Sequence, residues 1–265
     1  MKRRVFAYPY IVWMILFIVI PMVFIFYYAI NVGGVFTLTK FWETLKDANN
    51  WRVLWESVVI AFKTTVLCLL LAYPIAFILS NMKKSVAGLI SVLFFVPMWM
   101  NFVLRTYAWY AILEYVIPGV GRFLGAEGSV LMVLVYDFLP FMILPLYNTL
   151  AKIDKSLLEA SRDLGGNGFQ TFIRVILPLS VPGIVSGVTM VFIPAITAFT
   201  VPALIGNGKY NLYGNIIETA FKQLSGDGDF AVGSTLAIIL VISVFVSTLI
   251  MNHFDKDQKT GGQVL

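Results

Sequence analysis

Residues 8–30 read YPYIVWMILFIVIPMVFIFYYAI, twenty-three positions without a charged side chain, shortly after the basic start Met1-Lys2-Arg3-Arg4. At about 1.5 Å of rise per residue, a helix of this length crosses the ~30 Å hydrocarbon core of a bilayer. A secretory signal also begins with basic residues and then an apolar core, but that core holds only about 7 to 15 residues and ends at a small-x-small site. This run is longer and has no such site, so it is expected to stay attached. Five further apolar runs of spanning length follow at about 58–79, 86–104, 130–150, 176–205 and 231–251. The expected fold is all-α: one polytopic transmembrane domain over 1–265 with six transmembrane helices. Composition agrees, since 59% of the 265 residues are apolar and 12% charged, with a mean hydropathy of +0.87. Soluble domains are roughly 45–50% apolar and about 25% charged, and one core cannot bury the surplus. With one cysteine and one histidine, disulfide frameworks, zinc sites and Cys/His nucleophile pairs are excluded, so neither catalytic nor metal-binding residues are expected.

Lysine and arginine fix the expected orientation. With the amino terminus inside, the inner segments carry Lys2, Arg3, Arg4, Lys83, Lys84, Lys152, Lys155, Arg162, Arg174, Lys256 and Lys259, and with their acids sum to +6. The outer segments carry Lys40, Lys46, Arg52, Arg105, Arg122, Lys209 and Lys222 against eight acids and sum to −1. Both termini are therefore expected to be cytoplasmic. The basic pI follows from this sorting and calls for no nucleic-acid partner.

Most of the eleven prolines lie within or beside the apolar runs, at 21, 74, 97, 140, 145, 178, 182, 194 and 202. Proline removes a helix hydrogen bond, and neighbouring helices must satisfy the freed carbonyls. Kinked helices leave room for a cavity, which suits a transporter or channel; proline is also simply common in membrane helices.

The longest inner polar stretch is 151–174. Ser156-Leu157-Leu158-Glu159 has the spacing of a capping box, so a short helix is expected to start at Ser156. Leu157, Ala160, Ser161 and Leu164 recur on one face, Gly165-Gly166 supplies a left-handed terminator, and Asn167 with Gln170 offers a second cap. A helix-turn-helix across the membrane surface is the expectation. From the residues alone, a solvated interfacial connector and a docking knob are equal alternatives.

Glu159-Ala160-Ser161-Arg162-Asp163-Leu164-Gly165, followed by Ile176-Leu177-Pro178, resembles the EAA motif of binding-protein-dependent ABC importer permeases, with Ser161 in place of the second alanine. The resemblance implies a MetI-like ABC permease fold and a coupling helix that seats in a groove of a separate ATP-hydrolysing subunit. Glu159 would then cap the helix or contact the ATPase, Ala160 permit close approach and Gly165 make the turn; Arg162 and Asp163 are adjacent charged contacts by position. The chain would bind no cofactor itself, ATP being hydrolysed by the partner, and it contains no phosphate-binding loop motif. Residues 96–107, 139–147 and 171–175 are similar to spermidine/putrescine permeases. That similarity implies a second homologous permease, two ATPase copies, an extracytoplasmic polyamine-binding protein and a place in the cytoplasmic membrane. Permeases for iron, thiamine or phosphonate share parts of these patterns, and an ATP-independent secondary transporter or a membrane enzyme are the competing classes.

A polyamine path needs carboxylates and aromatic faces, because ammonium groups are attracted to both. Asp137 is the only acid within an expected span; it is a candidate for that path, or equally a structural partner of Lys63 or Arg105. Trp99, Asn101 and Tyr107 are candidate lining residues, an interfacial aromatic belt being the ordinary alternative for the rings. Arg105 would repel a cation unless paired and is expected at the outer rim or at the binding-protein contact. Glu218, Asp227 and Asp229 are candidate outer contacts for substrate or binding protein, or solvated loop acids.

Overall fold

A computed structural model describes residues 7–116, 124–222 and 229–261. Lys2, Arg3, Arg4 and Arg122, counted above for orientation, and the candidate Asp227 lie outside the described residues.

The chain runs through α1 (Tyr8–Ile30), a two-stranded hairpin of β1 (Asn31–Val32) and β2 (Val35–Phe36), α2 (Thr39–Lys46), α3 (Ala48–Asn81), α4 (Lys84–Trp99) and α5 (Phe102–Val116). It continues through α6 (Glu127–Leu150), α7 (Lys155–Asp163), α8 (Gly168–Ile196), α9 (Thr200–Ile205), α10 (Tyr213–Lys222) and α11 (Phe230–Gly261). Among the described residues five helices, α1, α3, α6, α8 and α11, are long and apolar enough to cross a membrane, and α4 with α5 supplies a sixth crossing if that bent pair is one span.

Two compact units divide the chain. The first comprises 1–55 and 212–243. Leu54, Tyr213, Leu236 and Ile239 form its buried cluster, with Leu45, Ile216, Ile217 and Val232 packed around them. In α1 the spanning stretch is left uncovered by protein, as suits a helix whose apolar residues point in every direction.

The second unit comprises 56–211 and 244–265. Its centre is α6, where Val130, Val133, Leu134, Met142, Ile143 and Leu146 are fully or almost fully buried. From α8, Gly183 and Gly187 lie against α6 so closely that a Cβ at 183 would stand 2.7 Å from Thr149 Oγ1, and one at 187 would stand 2.5 Å from Met142 Sδ. Small residues one turn apart let two helices approach in lipid, where dispersion rather than the hydrophobic effect drives association. From α3, Ile60, Ala61, Cys68, Ala72 and Ala76 complete the core, Cys68 behaving as the small apolar residue its surroundings require.

The proline-rich runs break in two places. The run 86–104, expected as one span, falls in two helices meeting at 87°, which continue to Val116. Pro97 lies in the last turn of α4, and the Asn101 side chain accepts from the amides of Val103 at 2.9 Å and Leu104 at 3.3 Å, capping a new helix. The run 176–205 likewise stops at Ile196, shortly after Pro194, and resumes as α9. Pro140 and Pro145 remain inside continuous α6.

Candidate functional site

Helix α7 is capped two residues earlier than its serine suggests. The cap is Asp154, whose carboxylate accepts from the Ser156 amide at 3.0 Å, while Ser156 lies inside the helix; the expected Ser156–Glu159 capping box does not form. A carboxylate is the stronger acceptor and also meets the positive end of the helix dipole. Its bonds with Ser156 hold the Asp154 carboxyl below its ordinary range.

The far end of α7 closes with two bonds, Gly166 N to Ser161 O at 2.9 Å and Gly165 N to Arg162 O at 2.8 Å, around Gly165 at φ +80°. This is the Schellman arrangement, which needs a left-handed residue just past the helix. Asn167 and Gln170 then form the expected capping box: Gln170 N donates to Asn167 Oδ1 at 2.9 Å and Asn167 N to Gln170 Oε1 at 3.0 Å. The Ser161 and Thr171 hydroxyls lie 2.9 Å apart and join the two limbs of the loop. Leu157, Ala160, Ser161 and Leu164, the face expected from spacing, line one side of an open cleft of about 570 Å³ whose other side is Gln170, Arg174 and Val175. Leu164 is 90% exposed, and Glu159, Ala160, Arg162, Asp163 and Gly165 are all exposed around it. Leu157 and Phe169 are exposed on the same loop, so its apolar side chains are left uncovered by this chain.

Behind the cleft, Phe172–Ile176 forms a single π-helical turn within α8. The Phe172 ring meets Tyr73 edge-on at 5.6 Å and Phe77 at 6.3 Å, and Tyr73 Oη lies 2.9 Å from Ser180 Oγ. The start of α8 is thus packed directly against α3. Sequence reading missed Phe172, because a π turn has no hydropathy signature; its sole trace is an aromatic residue between a cap and a Leu-Pro pair.

The second constellation lies where α5 leaves its break. Arg105, on the first turn of α5, is only 8% exposed, and Asp137 of α6 is 1% exposed. Arg105 Nε donates to Asp137 Oδ1 at 2.6 Å and Nη1 donates to the Pro97 carbonyl at 2.9 Å. The guanidinium lies 5.6 Å from the Phe102 ring centre and 5.8 Å from that of Tyr136. Arg105, expected on an exposed outer rim, is therefore buried, for the reason that a carboxylate removed from water demands a cation. Of the two partners considered for Asp137, Lys63 pairs instead with Glu127. Trp99, 80% exposed, and Asn101 stand at the break, and Tyr107 is exposed on α5. In the first unit, Glu218 pairs with Lys222 at 2.6 Å and Asp229 with Lys40 at 3.5 Å.

Residues 69–260 match the family described as binding-protein-dependent transport system inner membrane component. The spermidine/putrescine transport system permease protein PotB of Haemophilus influenzae is 35% identical over 254 residues, 88% of each chain being covered. A bacterial ABC transporter involved in the import of the acidic polysaccharide alginate has a TM-score of 0.78 at 14% identity, over 97% of this chain and 96% of that one. The bacterial alginate ABC transporter in complex with an alginate pentasaccharide-bound periplasmic protein has a TM-score of 0.76 at 13% identity, over 97% and 94%. At such identities the two structures speak for the fold, and the family match with the 35% relative speaks for descent. The chain belongs to the inner membrane components of binding-protein-dependent transport systems, as a multi-pass permease of the cytoplasmic membrane.

Proposed function

We propose that this permease moves spermidine and putrescine into the cell by alternating access, driven by a separate ATPase. The observation that carries the reading is the 35% identity to a spermidine/putrescine permease along 88% of both chains. The charge sorting of +6 against −1 supports a topology with both termini and the 151–174 loop in the cytoplasm. There Glu159, Ala160, Arg162, Asp163 and Gly165, with exposed Leu164, seat the coupling helix on the ATPase. ATP is bound and hydrolysed by that partner, present in two copies beside a second homologous permease. An extracytoplasmic binding protein delivers substrate, a role supported by the alginate relative's complex with its periplasmic protein. Asp137, Trp99, Asn101 and Tyr107 belong to the path, and Glu218, Asp227 and Asp229 to the outer contacts.

Uptake of radiolabelled spermidine by cells with and without this subunit tests the substrate. Expected is uptake that depends on the chain and is competed by putrescine but not by thiamine, ferric iron or phosphonate. Competition by one of the latter instead overturns the polyamine assignment and keeps the importer class. Failure of any ATPase subunit to co-purify with the solubilised chain contradicts the importer class itself.

A further inference from the structure

The cage around Arg105 is made of parts that suit another cation. It offers a carboxylate oxygen of Asp137, the rings of Phe102 and Tyr136 and the carbonyl of Pro97. An alkylammonium group is attracted to each of these as a guanidinium is. The carboxylate is also half used: Asp137 Oδ2 is buried and has no hydrogen-bond partner among the described residues. Leaving a buried charged oxygen unbonded is costly, and Arg–carboxylate pairs frequently satisfy both oxygens through a bidentate fork, which this pair does not form.

We infer that Asp137 is an ammonium subsite of the transport path and that Arg105 is its resident stand-in, displaced when a substrate amine passes. The inference rests on the polyamine reading above. Charge balance carries it further. One buried carboxylate neutralises one cation, and a guanidinium and an ammonium held together would leave a net positive charge in a low dielectric. Entry of the amine therefore expels Arg105, and departure of the amine readmits it. Arg105 sits on the first turn after the 87° break, so a change in that bend would carry it.

The test uses the assembled transporter in proteoliposomes, supplied with saturating spermidine-loaded binding protein, and three variants inserted at equal levels. Asp137→Asn is expected to lower maximal spermidine uptake by at least about tenfold, the size of one charge-assisted hydrogen bond. Arg105→Gln falls several-fold less, and the double variant stays as low as Asp137→Asn. In parallel, spermidine raises the thermal midpoint of the solubilised Arg105→Gln transporter by more than that of wild type, and Asp137→Asn removes the shift. Wild-type uptake by Asp137→Asn overturns the inference. So do equal losses in both single variants with recovery in the double, the signature of a pair that serves structure alone. If Asp137→Asn does not insert, the thermal shift of Arg105→Gln decides, and a shift no larger than wild type refutes the subsite. No spermidine uptake by wild type refutes the polyamine reading and the inference with it.

Discussion

Gly165 shows how much of the coupling loop depends on one backbone angle. At φ +80° it donates to the Arg162 carbonyl, and its neighbour reaches back to Ser161. Proline fixes φ near −65° and has no N–H, so Gly165→Pro loses both the turn and the bond. The variant is expected to insert at normal levels and to take up no substrate; wild-type uptake contradicts the role of the loop. An L side chain in this region costs about 1–2 kcal/mol, so Gly165→Ala loses uptake only in part. Asp154 offers a pH test. Its carboxyl is held below the ordinary value by Ser156, so the cap is fully present above that ordinary value and is lost as pH falls through the lowered one. Amide exchange at Ser156, corrected for intrinsic rate, should therefore accelerate only in strong acid, and Asp154→Ala should produce the same acceleration at neutral pH. Equal protection of that amide in Asp154→Ala and wild type contradicts the cap.

At the scale of elements, the π turn at Phe172–Ile176 joins α7 to the spans. Phe172→Ala removes the edge-on contacts with Tyr73 and Phe77 while leaving the cleft face of α7 in place. ATP hydrolysis by the assembled transporter is expected to continue while uptake falls at least several-fold; parallel loss of both contradicts transmission through this ring. The α6–α8 contact makes a stability prediction. At Gly187 a Cβ would stand 2.5 Å from Met142 Sδ, so Gly187→Leu forces the helices apart, at a cost of about 1–3 kcal/mol. The solubilised chain should then melt earlier, and an unchanged midpoint would show that the helices are free to separate. These elements were unequally legible in the sequence. Hydropathy finds each long run, because lipid imposes a single requirement on about 20 consecutive residues. It cannot find the break after Met100, since the residues on both sides stay apolar. Pro97 and Asn101 carry that signal in a different form, as a helix stop and a cap. The start of α7 is misplaced at Ser156 because spacing alone cannot rank two capping residues two positions apart, whereas acceptor strength can.

For the whole molecule, the family, the membrane class and the helix-turn-helix of 151–174 were legible because each is written locally, as length, as composition or as a short motif. The buried pair was legible only as one of two alternatives, Lys63 or Arg105 as the partner of Asp137, and the choice between them was not. Arg105 and Asp137 are 32 positions apart, and only the bend at 87° carries the arginine inward from the rim where an unpaired charge belongs. Lys63 and Glu127 met in the same way, across 64 positions. The proposed function places this permease in an assembly with an ATPase and a binding protein. The most direct test is spermidine uptake by proteoliposomes holding this chain, its partner permease and the ATPase, supplied with loaded binding protein. Uptake is expected when ATP and this chain are both present and to cease when either is left out. Spermidine accumulation without ATP, or undiminished accumulation without this chain, would contradict the account.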